Sequence, residues 1–355
     1  MQDGAQSGIF STESLLNIMK AGEKMKKVIN DPKNVVDEMV KGYVLAYPKY
    51  VSRVDGTDVI MRVNKKEDKV ALISGGGSGH EPSHAGFLGT GMLDAAVCGA
   101  VFTSPTPDQI FAAIRAVATP SGVLLIIKNY SGDVMNFEVA MEMAEEEGIK
   151  VDKVIVDDDV AVENSTYTVG RRGIAGTVLV HKIAGAIAEQ GATLEEVKEA
   201  AEQVIRNTRS MGMALTPCFM PEAKEPSFTL ADDEMEIGLG IHGEPGVYKD
   251  NVKSADEITK VLLGKVLDDM KLQANDEVVV LINGLGATPL MEMYIVNNTI
   301  RHILDGKGIK VYDTMIGEYM TSMEMAGFSI TLLKLDESLK TLYKQTADTP
   351  AWKQF

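Results

Sequence analysis

Apolar and polar residues follow two different periods along this chain, and the alternation of these periods predicts its fold. Between residues 34 and 47 the apolar side chains recur every three or four positions, as on one face of a helix. Short apolar runs typical of buried strands lie at 70–73, 97–102, 122–127 and 153–156. Helical patterns lie at 108–118, 134–147, 173–190 and 194–208. Strands that alternate with helices predict an α/β fold, with a mostly parallel sheet and helices on both faces.

The second half of the chain has a different pattern. Its strand-like runs lie at 211–215, 237–242 and 277–282, and its helical patterns at 254–272 and 289–304. We therefore predict a first α/β domain over 25–208 and a second, smaller α/β or α+β domain over 209–340. Residues 341–355 are expected to form a C-terminal segment that packs on the first domain. Residues 1–24 are mostly polar, do not resemble a signal peptide, and are predicted to be a non-native or disordered extension.

A glycine-dense segment, Gly75-Gly76-Gly77-Ser78-Gly79-His80-Glu81-Pro82, follows the run at 70–73. Glycines after a strand let a ligand approach backbone N–H groups, because no Cβ stands in the way. His80 adds the side chain best suited to proton transfer near neutral pH, and Pro82 suits the first turn of a following helix. The segment is therefore predicted to be a turn that combines a backbone cradle, an acid or base group and the start of a helix.

Several known motifs come close to this segment, and each of them fails in part. His80-Glu81-Pro82-Ser83-His84 matches the zinc-protease pattern, but Pro82 disfavours the continuous helix that would bring both histidines to one face. A P-loop requires a lysine that is missing here, and a hydrolase elbow requires glycine where His80 stands. A tight turn that only packs a helix against a strand stays open as an alternative. We predict no metal on this chain.

Two further segments carry candidate chemistry at predicted strand ends. In Lys128-Asn129-Tyr130-Ser131-Gly132-Asp133, the lysine can bind a substrate hydroxyl, and Asp133 can serve as a general base or as the N-cap of the next helix. In His242-Gly243-Glu244-Pro245-Gly246, a rigid turn holds His242 within reach of a ligand or simply satisfies its polar atoms. Ligands bind beyond the carboxyl ends of parallel strands, so Lys128 and the glycine segment are expected to converge.

Charged residues at 157–159 and 171–172 each allow two interpretations. The run Asp157, Asp158 and Asp159 could bind Mg²⁺, but we favour a solvated loop with a capping role. Arg171 and Arg172 are suited to a phosphorylated partner, but we favour surface solvation for both.

Composition narrows the class of protein. The chain has 355 residues, of which 45% are hydrophobic and 24% charged, as is usual for a soluble globular protein. Its formal net charge of −16 argues against binding to nucleic acid or to an anionic membrane, because both require a basic surface. Its two cysteines cannot form a disulfide scaffold and fit a reducing cytoplasm.

Seven segments of the chain stand in the same order as in a known family. They lie at 74–82, 102–108, 128–133, 156–161, 228–232, 240–246 and 284–289. Through them the chain resembles the substrate-binding K subunit of the dihydroxyacetone kinase family, of the type that depends on the phosphotransferase system.

The resemblance implies a role for each candidate residue. The histidine that matches His242 attacks the ketone carbon of dihydroxyacetone and forms a covalent hemiaminal. The residues that match His80 and Asp133 act as acid and base on the hydroxyl that accepts phosphate. Gly77, Ser78, Gly79 and Lys128, together with His80 and Asp133, match the substrate-binding positions.

The resemblance also implies partners and a location. A separate L subunit would carry ADP or ATP with magnesium, and an M subunit would rephosphorylate that nucleotide from phosphoenolpyruvate, so no cofactor is expected on this chain. The protein would be a cytoplasmic homodimer and a phosphotransferase of glycerol metabolism. Two alternatives remain: a dihydroxyacetone-sensing relative that acts as a transcriptional coactivator, and a carbohydrate-binding scaffold without turnover. The presence of Asp133 and His80 favours the kinase.

Overall fold

A computed structural model describes residues 27–163, 168–223 and 225–355 of the chain. The extension predicted at residues 1–24 lies outside these described residues. The structure therefore tests the remaining elements, beginning with the first half of the chain.

The first half contains six strands and five helices within the described ranges. The strands are β1 (Val51–Arg53), β2 (Val59–Arg62), β3 (Ala71–Ser78), β4 (Ala95–Val101), β5 (Val123–Lys128) and β6 (Val151–Val156). The helices are α1 (Val35–Ala46), α2 (Pro107–Val117), α3 (Ser131–Glu146), α4 (Thr177–Glu189) and α5 (Leu194–Asn207).

The strands of the first half form a sheet in the order β1-β2-β4-β3-β5-β6. Its pairs β3–β4, β3–β5 and β5–β6 are parallel, whereas β1–β2 and β2–β4 are antiparallel. The prediction of a mostly parallel sheet in an α/β fold is confirmed. The short antiparallel strands β1 and β2 were not predicted, because three or four residues are too few to show a period.

The second half forms another sheet, in the order β11-β10-β12-β7-β8-β9. Its strands are β7 (Thr208–Ala214), β8 (Glu234–Ile237), β9 (Tyr248–Asn251), β10 (Glu277–Gly284), β11 (Lys310–Gly317) and β12 (Gly327–Leu335). Its helices are α6 (Ala255–Met270), α7 (Leu290–Gly306) and α8 (Glu337–Tyr343), and a short pair, β13 (Ala347–Asp348) and β14 (Lys353–Gln354), follows. Among the strand pairs of this sheet in the described residues, only β10–β11 is parallel. Of the two classes predicted for this half, α/β or α+β, the structure therefore fits α+β.

The two sheets share one layer of helices. Buried side chains of α4, α5 and α8 form a single core with residues such as Leu124 and Ile126 of β5 and Val279 and Leu281 of β10. On their outer faces, α2 and α3 cover the first sheet, and α6 and α7 cover the second. None of the described helices is long and apolar enough to cross a membrane. We keep the domain division near residue 208 as a proposal, since the chain passes from one sheet to the other at β7.

Local sequence signals explain where two of these helices begin. Thr193 accepts a hydrogen bond from the backbone N–H of Glu196, whose side chain accepts one from the backbone of Thr193. Ser254 and Glu257 form the same reciprocal pair at the start of α6. Each capping box satisfies N–H groups that the first turn of a helix leaves free.

The glycine segment differs from its prediction. Strand β3 continues through Gly75, Gly76 and Gly77 to Ser78, and a 3₁₀ turn at Ala85–Phe87 follows instead of an α-helix. The glycines are required because other groups lie where a Cβ would be. A Cβ on Gly77 would lie 2.5 Å from the backbone nitrogen of Thr103 and 2.6 Å from the Cα of Phe102. The strand can therefore run close beside the loop that follows β4.

We predict that Gly77→Ala lowers the stability of the protein, because backbone atoms at 2.5 Å cannot move aside as a side chain can. The expected loss is about 1–3 kcal/mol in the free energy of unfolding, which a lower urea midpoint would report. Gly264→Ala in α6 is the matched control, since its Cβ would meet no atom within 4 Å and alanine favours helices. A Gly77→Ala midpoint equal to that of the parent protein would contradict the close approach.

Candidate functional site

A cavity of about 460 Å³ lies beyond the carboxyl ends of β3 and β5. It is bounded by Gly77, the loop Phe102–Ser104, the turn Tyr130–Asp133, Met220 and His242. A larger groove of about 790 Å³ runs along α5, but its lining is rich in charged residues and includes none of the predicted site residues. We therefore take the smaller cavity as the candidate site.

The end of β5 places two of the predicted residues beside this cavity. Lys128 is the last residue of the strand and is completely buried, and Asp133 is the third residue of α3 and is 3% exposed. Tyr130 occupies the N-cap position without a capping side-chain bond, so the N-cap alternative for Asp133 does not apply. Gly76 of β3 faces both residues, because its Cβ would lie 2.9 Å from Lys128 Nζ and 3.7 Å from Asp133 Oδ2.

His242 lies on a tight loop, not in the strand predicted at 237–242, because β8 ends at Ile237. Glu244 folds back under this loop and accepts a hydrogen bond from the His242 backbone N–H at 2.9 Å. Its other oxygen lies 3.1 Å from His242 Nδ1. A Cβ on Gly240 would lie 2.0 Å from the Glu244 carboxylate, so only glycine fits there. The loop is wrapped around one buried carboxylate.

The charge on Glu244 determines that Nδ1 is a nitrogen of His242 that carries a proton. Burial acts to raise the pKa of Glu244, but His242 and Arg172 outweigh it and hold the pKa at about 2. Glu244 is therefore ionised at neutral pH and can only accept hydrogen bonds. His242 Nδ1 donates its proton to this carboxylate. A neutral imidazole with its proton on Nδ1 has its lone pair on Nε2.

The hydrogen bond between His80 and Thr321 determines which nitrogen of His80 carries its proton. Its Nδ1 lies 2.7 Å from the carbonyl oxygen of Thr321, and a carbonyl can only accept, so Nδ1 carries the hydrogen. Burial, Lys128 and His242 lower the pKa of His80 well below its usual range, so the ring is neutral and Nε2 is a free acceptor. The rings of His80 and His242 meet edge to face with centroids 4.7 Å apart. Phe102 stacks on His80 at 5.0 Å and meets His242 edge to face at 5.3 Å.

Four buried polar atoms of the site have no hydrogen-bond partner in the described part of the chain. They are His80 Nε2, Lys128 Nζ, Tyr130 Oη and Asp133 Oδ1. Leaving such atoms unpaired costs about 1–3 kcal/mol each, so a cluster of them indicates a polar ligand. Lys128 can only donate, whereas His80 Nε2 and an ionised Asp133 can only accept. A small molecule with both hydroxyl and carbonyl oxygens would satisfy this set.

Of the predicted site residues, Gly77, Asp133 and His242 line the cavity, whereas Ser78, Gly79, His80 and Lys128 do not. Ser78 donates its hydroxyl to the carbonyl oxygen of Gly99 at 2.7 Å, and Gly79 packs against Phe102 and Met323. Substrate contact by Ser78 and Gly79 stays a prediction. Tyr130 and Glu244 were not singled out, although both lie in segments examined for other residues. Glu244 follows His242 by two positions, and this short spacing is the sequence signal that would have found it.

The interpretation of the aspartate run and the arginine pair as solvated surface is wrong for three residues. Asp158, Asp159 and Arg172 are all fully buried. The Asp158 carboxylate accepts hydrogen bonds from the backbone N–H groups of Ile174 and Gly176. Asp159 forms a buried ion pair with Arg172 at 2.6 Å. Periodicity could not reveal this burial, because these loop residues become enclosed only when the two sheets pack together.

The zinc-protease pattern does not build a metal site. His84 Nδ1 lies 3.0 Å from His181 Nε2 in the core, and His80 bonds to Thr321 instead. The two histidines lie in a turn and not on one helix face. Within the described residues, no three His, Cys, Asp or Glu side chains are arranged to hold a metal ion.

Comparison with known proteins gives consistent matches. The sequence matches the Dak1 domain over residues 41–351. It is 54% identical over 329 residues to the "PTS-dependent dihydroxyacetone kinase 1, dihydroxyacetone-binding subunit DhaK" of Listeria innocua, covering 92% of this chain and 100% of that protein.

Two solved structures have the same fold over most of the chain. One is the dihydroxyacetone kinase from C. freundii in complex with AMP-PNP and Mg²⁺, with a TM-score of 0.85 and 35% identity over 93% of this chain. The present chain spans 61% of the length of that kinase. The other is the dihydroxyacetone kinase operon co-activator Dha-DhaQ, with a TM-score of 0.85 and 36% identity, covering 89% of this chain and 98% of that one.

The three buried histidines predict how stability depends on pH. Burial lowers the pKa of His80, His84 and His181, the last to about 3. Below about pH 6.5 these histidines are protonated in the unfolded chain but not in the folded one. Each histidine therefore lowers the free energy of unfolding by about 1.4 kcal/mol for every pH unit by which the pH falls. We expect His181→Gln to reduce the slope of unfolding free energy between pH 6 and 4 by about that amount.

The control for this measurement is His302→Gln, since His302 is exposed on α7 and meets water in both states. Urea denaturation at several pH values gives both slopes. An unchanged slope in His181→Gln would show that His181 takes up a proton in the folded protein.

Proposed function

The chain belongs to the Dak1 domain family, and from this premise we propose that it is the dihydroxyacetone-binding subunit of a phosphoenolpyruvate-dependent dihydroxyacetone kinase. The observation that carries the proposal is the cluster of unpartnered polar atoms beside His242. The 54% identity to a subunit named for dihydroxyacetone binding, over the whole of that relative, supports the same substrate.

The proposed binding step is a covalent addition. The lone pair of His242 Nε2 forms a bond to the ketone carbon, and the carbonyl π electrons move to oxygen, which takes up a proton. The Nδ1 proton is held by Glu244, so the positive charge that develops on the ring is balanced. Release of that proton leaves a neutral hemiaminal, and atoms and charge balance without another reagent.

This chemistry would select a ketone over an alcohol of similar shape. Glycerol has nearly the size of dihydroxyacetone but no carbonyl, so it cannot form the C–N bond. Pocket shape alone rejects a near-isostere poorly. A cavity of about 460 Å³ is large enough for ligands much bigger than a triose, which is consistent with selection by reactivity and not by tight fit.

The hydroxyl that accepts phosphate would lie near His80 and Asp133. Both present unpartnered acceptor atoms, His80 Nε2 and Asp133 Oδ1, and the neutral ring of His80 can take up the hydroxyl proton. Lys128 would donate to a substrate oxygen. Burial lowers the pKa of Lys128, while Asp133 and Glu244 partly oppose this effect.

The phosphoryl donor would come from another chain. We propose that an L subunit brings ADP or ATP with magnesium to the mouth of the cavity, and that an M subunit restores the nucleotide from phosphoenolpyruvate. The C. freundii kinase, which was solved with AMP-PNP and Mg²⁺, extends well beyond the length of this chain. We also propose that the protein is a cytoplasmic homodimer, as the family resemblance implies.

We predict that His242→Ala abolishes retention of dihydroxyacetone, because among the described residues that line the cavity His242 is the one histidine, and its ring is paired with a carboxylate that can balance charge. Native mass spectrometry after incubation with substrate would show one bound triose on the parent protein and none on the variant. His302→Ala, at an exposed histidine, is the control and should retain the triose. Equal retention by His242→Ala and the parent would refute the covalent role.

Reconstitution with L, M and phosphoenolpyruvate separates the kinase from a sensor. We expect Asp133→Asn to keep the bound triose and to lower the rate of phosphorylation by about 10²–10⁴-fold, as loss of a general base does. Asp108→Asn, in the exposed first turn of α2, is the control. If the parent protein binds dihydroxyacetone but never phosphorylates it, the coactivator alternative, of which Dha-DhaQ is a structural neighbour, replaces the kinase.

A further inference from the structure

Arg172 is a buried charge that the chemistry above does not use. It is completely buried on the segment between β6 and α4. Its Nε and Nη2 lie 2.8 and 2.6 Å from one oxygen of Asp159. A buried charge needs both a counter-ion and hydrogen bonds to be tolerated. Asp159 supplies the counter-ion from the preceding loop.

Arg172 also reaches the loop that carries His242. Its Nη2 donates to the carbonyl oxygen of Gly238 at 2.6 Å, immediately after β8. Gly238 is the point at which the chain leaves the second sheet and enters the loop around Glu244. One guanidinium therefore connects the first half of the chain to the base of the His242 loop.

The charge of Arg172 acts on Glu244 in that loop and on Tyr130 beside the cavity. It is among the charges that keep the pKa of Glu244 low, and it also lowers the pKa of Tyr130, although burial raises that pKa overall. Its Nη1 is buried and has no hydrogen-bond partner in the described residues, so this nitrogen is an unused donor.

We propose that Arg172 is a positioning residue for His242: its hydrogen bond to Gly238 anchors the loop in which Glu244 accepts the Nδ1 proton of His242. The reactivity of Nε2 then depends on the series Asp159, Arg172, Glu244 and His242. This inference rests on the proposed function for its catalytic meaning, but its structural claim concerns the free protein.

The first test is the tautomer of His242 in the free protein, measured by ¹⁵N NMR of histidine-labelled protein and assigned with His242→Ala. The parent protein should show the proton on Nδ1 and a bare Nε2. In Arg172→Met the ring should shift toward the other tautomer or a mixture. Arg62→Met is the matched control, since Arg62 is also buried and paired, with Asp94 and Glu189, and does not contact the loop.

The second test is a double-mutant cycle on the rate of triose adduct formation. Arg172→Met and Glu244→Gln should each lower the rate at least tenfold, and the double variant should be no slower than Glu244→Gln alone. Multiplicative effects would show that Arg172 does not act through Glu244 and would overturn the proposal. If Arg172→Met does not fold, Asp159→Asn/Arg172→Met removes both charges of the buried pair and replaces it in the cycle.

The two tests distinguish this inference from the proposed function. If the parent protein forms no adduct, the proposed function fails, whereas the tautomer measurement still decides the role of Arg172. If Arg172→Met keeps the Nδ1 proton as firmly as the parent protein, the positioning role is refuted even when adduct formation is normal.

Discussion

The site depends on one hydrogen bond, from His242 Nδ1 to the buried carboxylate of Glu244. An imidazole ring has two nitrogens, and the partner of one decides whether the other carries a lone pair. Glu244 is held in position for this hydrogen bond in two ways. Its second oxygen accepts a hydrogen bond from the His242 backbone N–H, and Gly240 has no Cβ that would clash with its carboxylate. Without the carboxylate, the loop would expose a histidine of undetermined tautomer.

The rest of the fold brings the other polar groups to this nitrogen. Strand β3 runs through glycines, which lets the Phe102–Thr103 loop and Lys128 approach from opposite sides. His80 is tied to Thr321 in the second half of the chain, and Arg172 is tied to Gly238 there. The cavity is therefore formed jointly by the two halves of the chain. The layer of helices that both sheets share joins the two halves through one core.

Much of the fold and part of the site followed from local patterns. The parallel core strands and the longer helices were predictable because each has its own period over many residues. The short strands β1, β2 and β9 were not, since three or four residues show no period, and the longer strands β11 and β12 were not predicted either. Asp133, His80 and His242 stood in suggestive segments, but their convergence depends on contacts far apart in sequence. The burial of Arg172 arises only from packing, so no local pattern could indicate it, whereas the two-residue spacing of His242 and Glu244 was a local signal.

The most direct test of this account follows the ketone carbon itself. Dihydroxyacetone labelled with ¹³C at the carbonyl is added to the protein, and the ¹³C NMR signal of the bound molecule is recorded. The account predicts that the signal of the labelled carbon moves from the ketone region to that of a tetrahedral carbon bonded to oxygen and nitrogen, and that His242→Ala abolishes the change. A bound molecule whose labelled carbon keeps its ketone signal would contradict it.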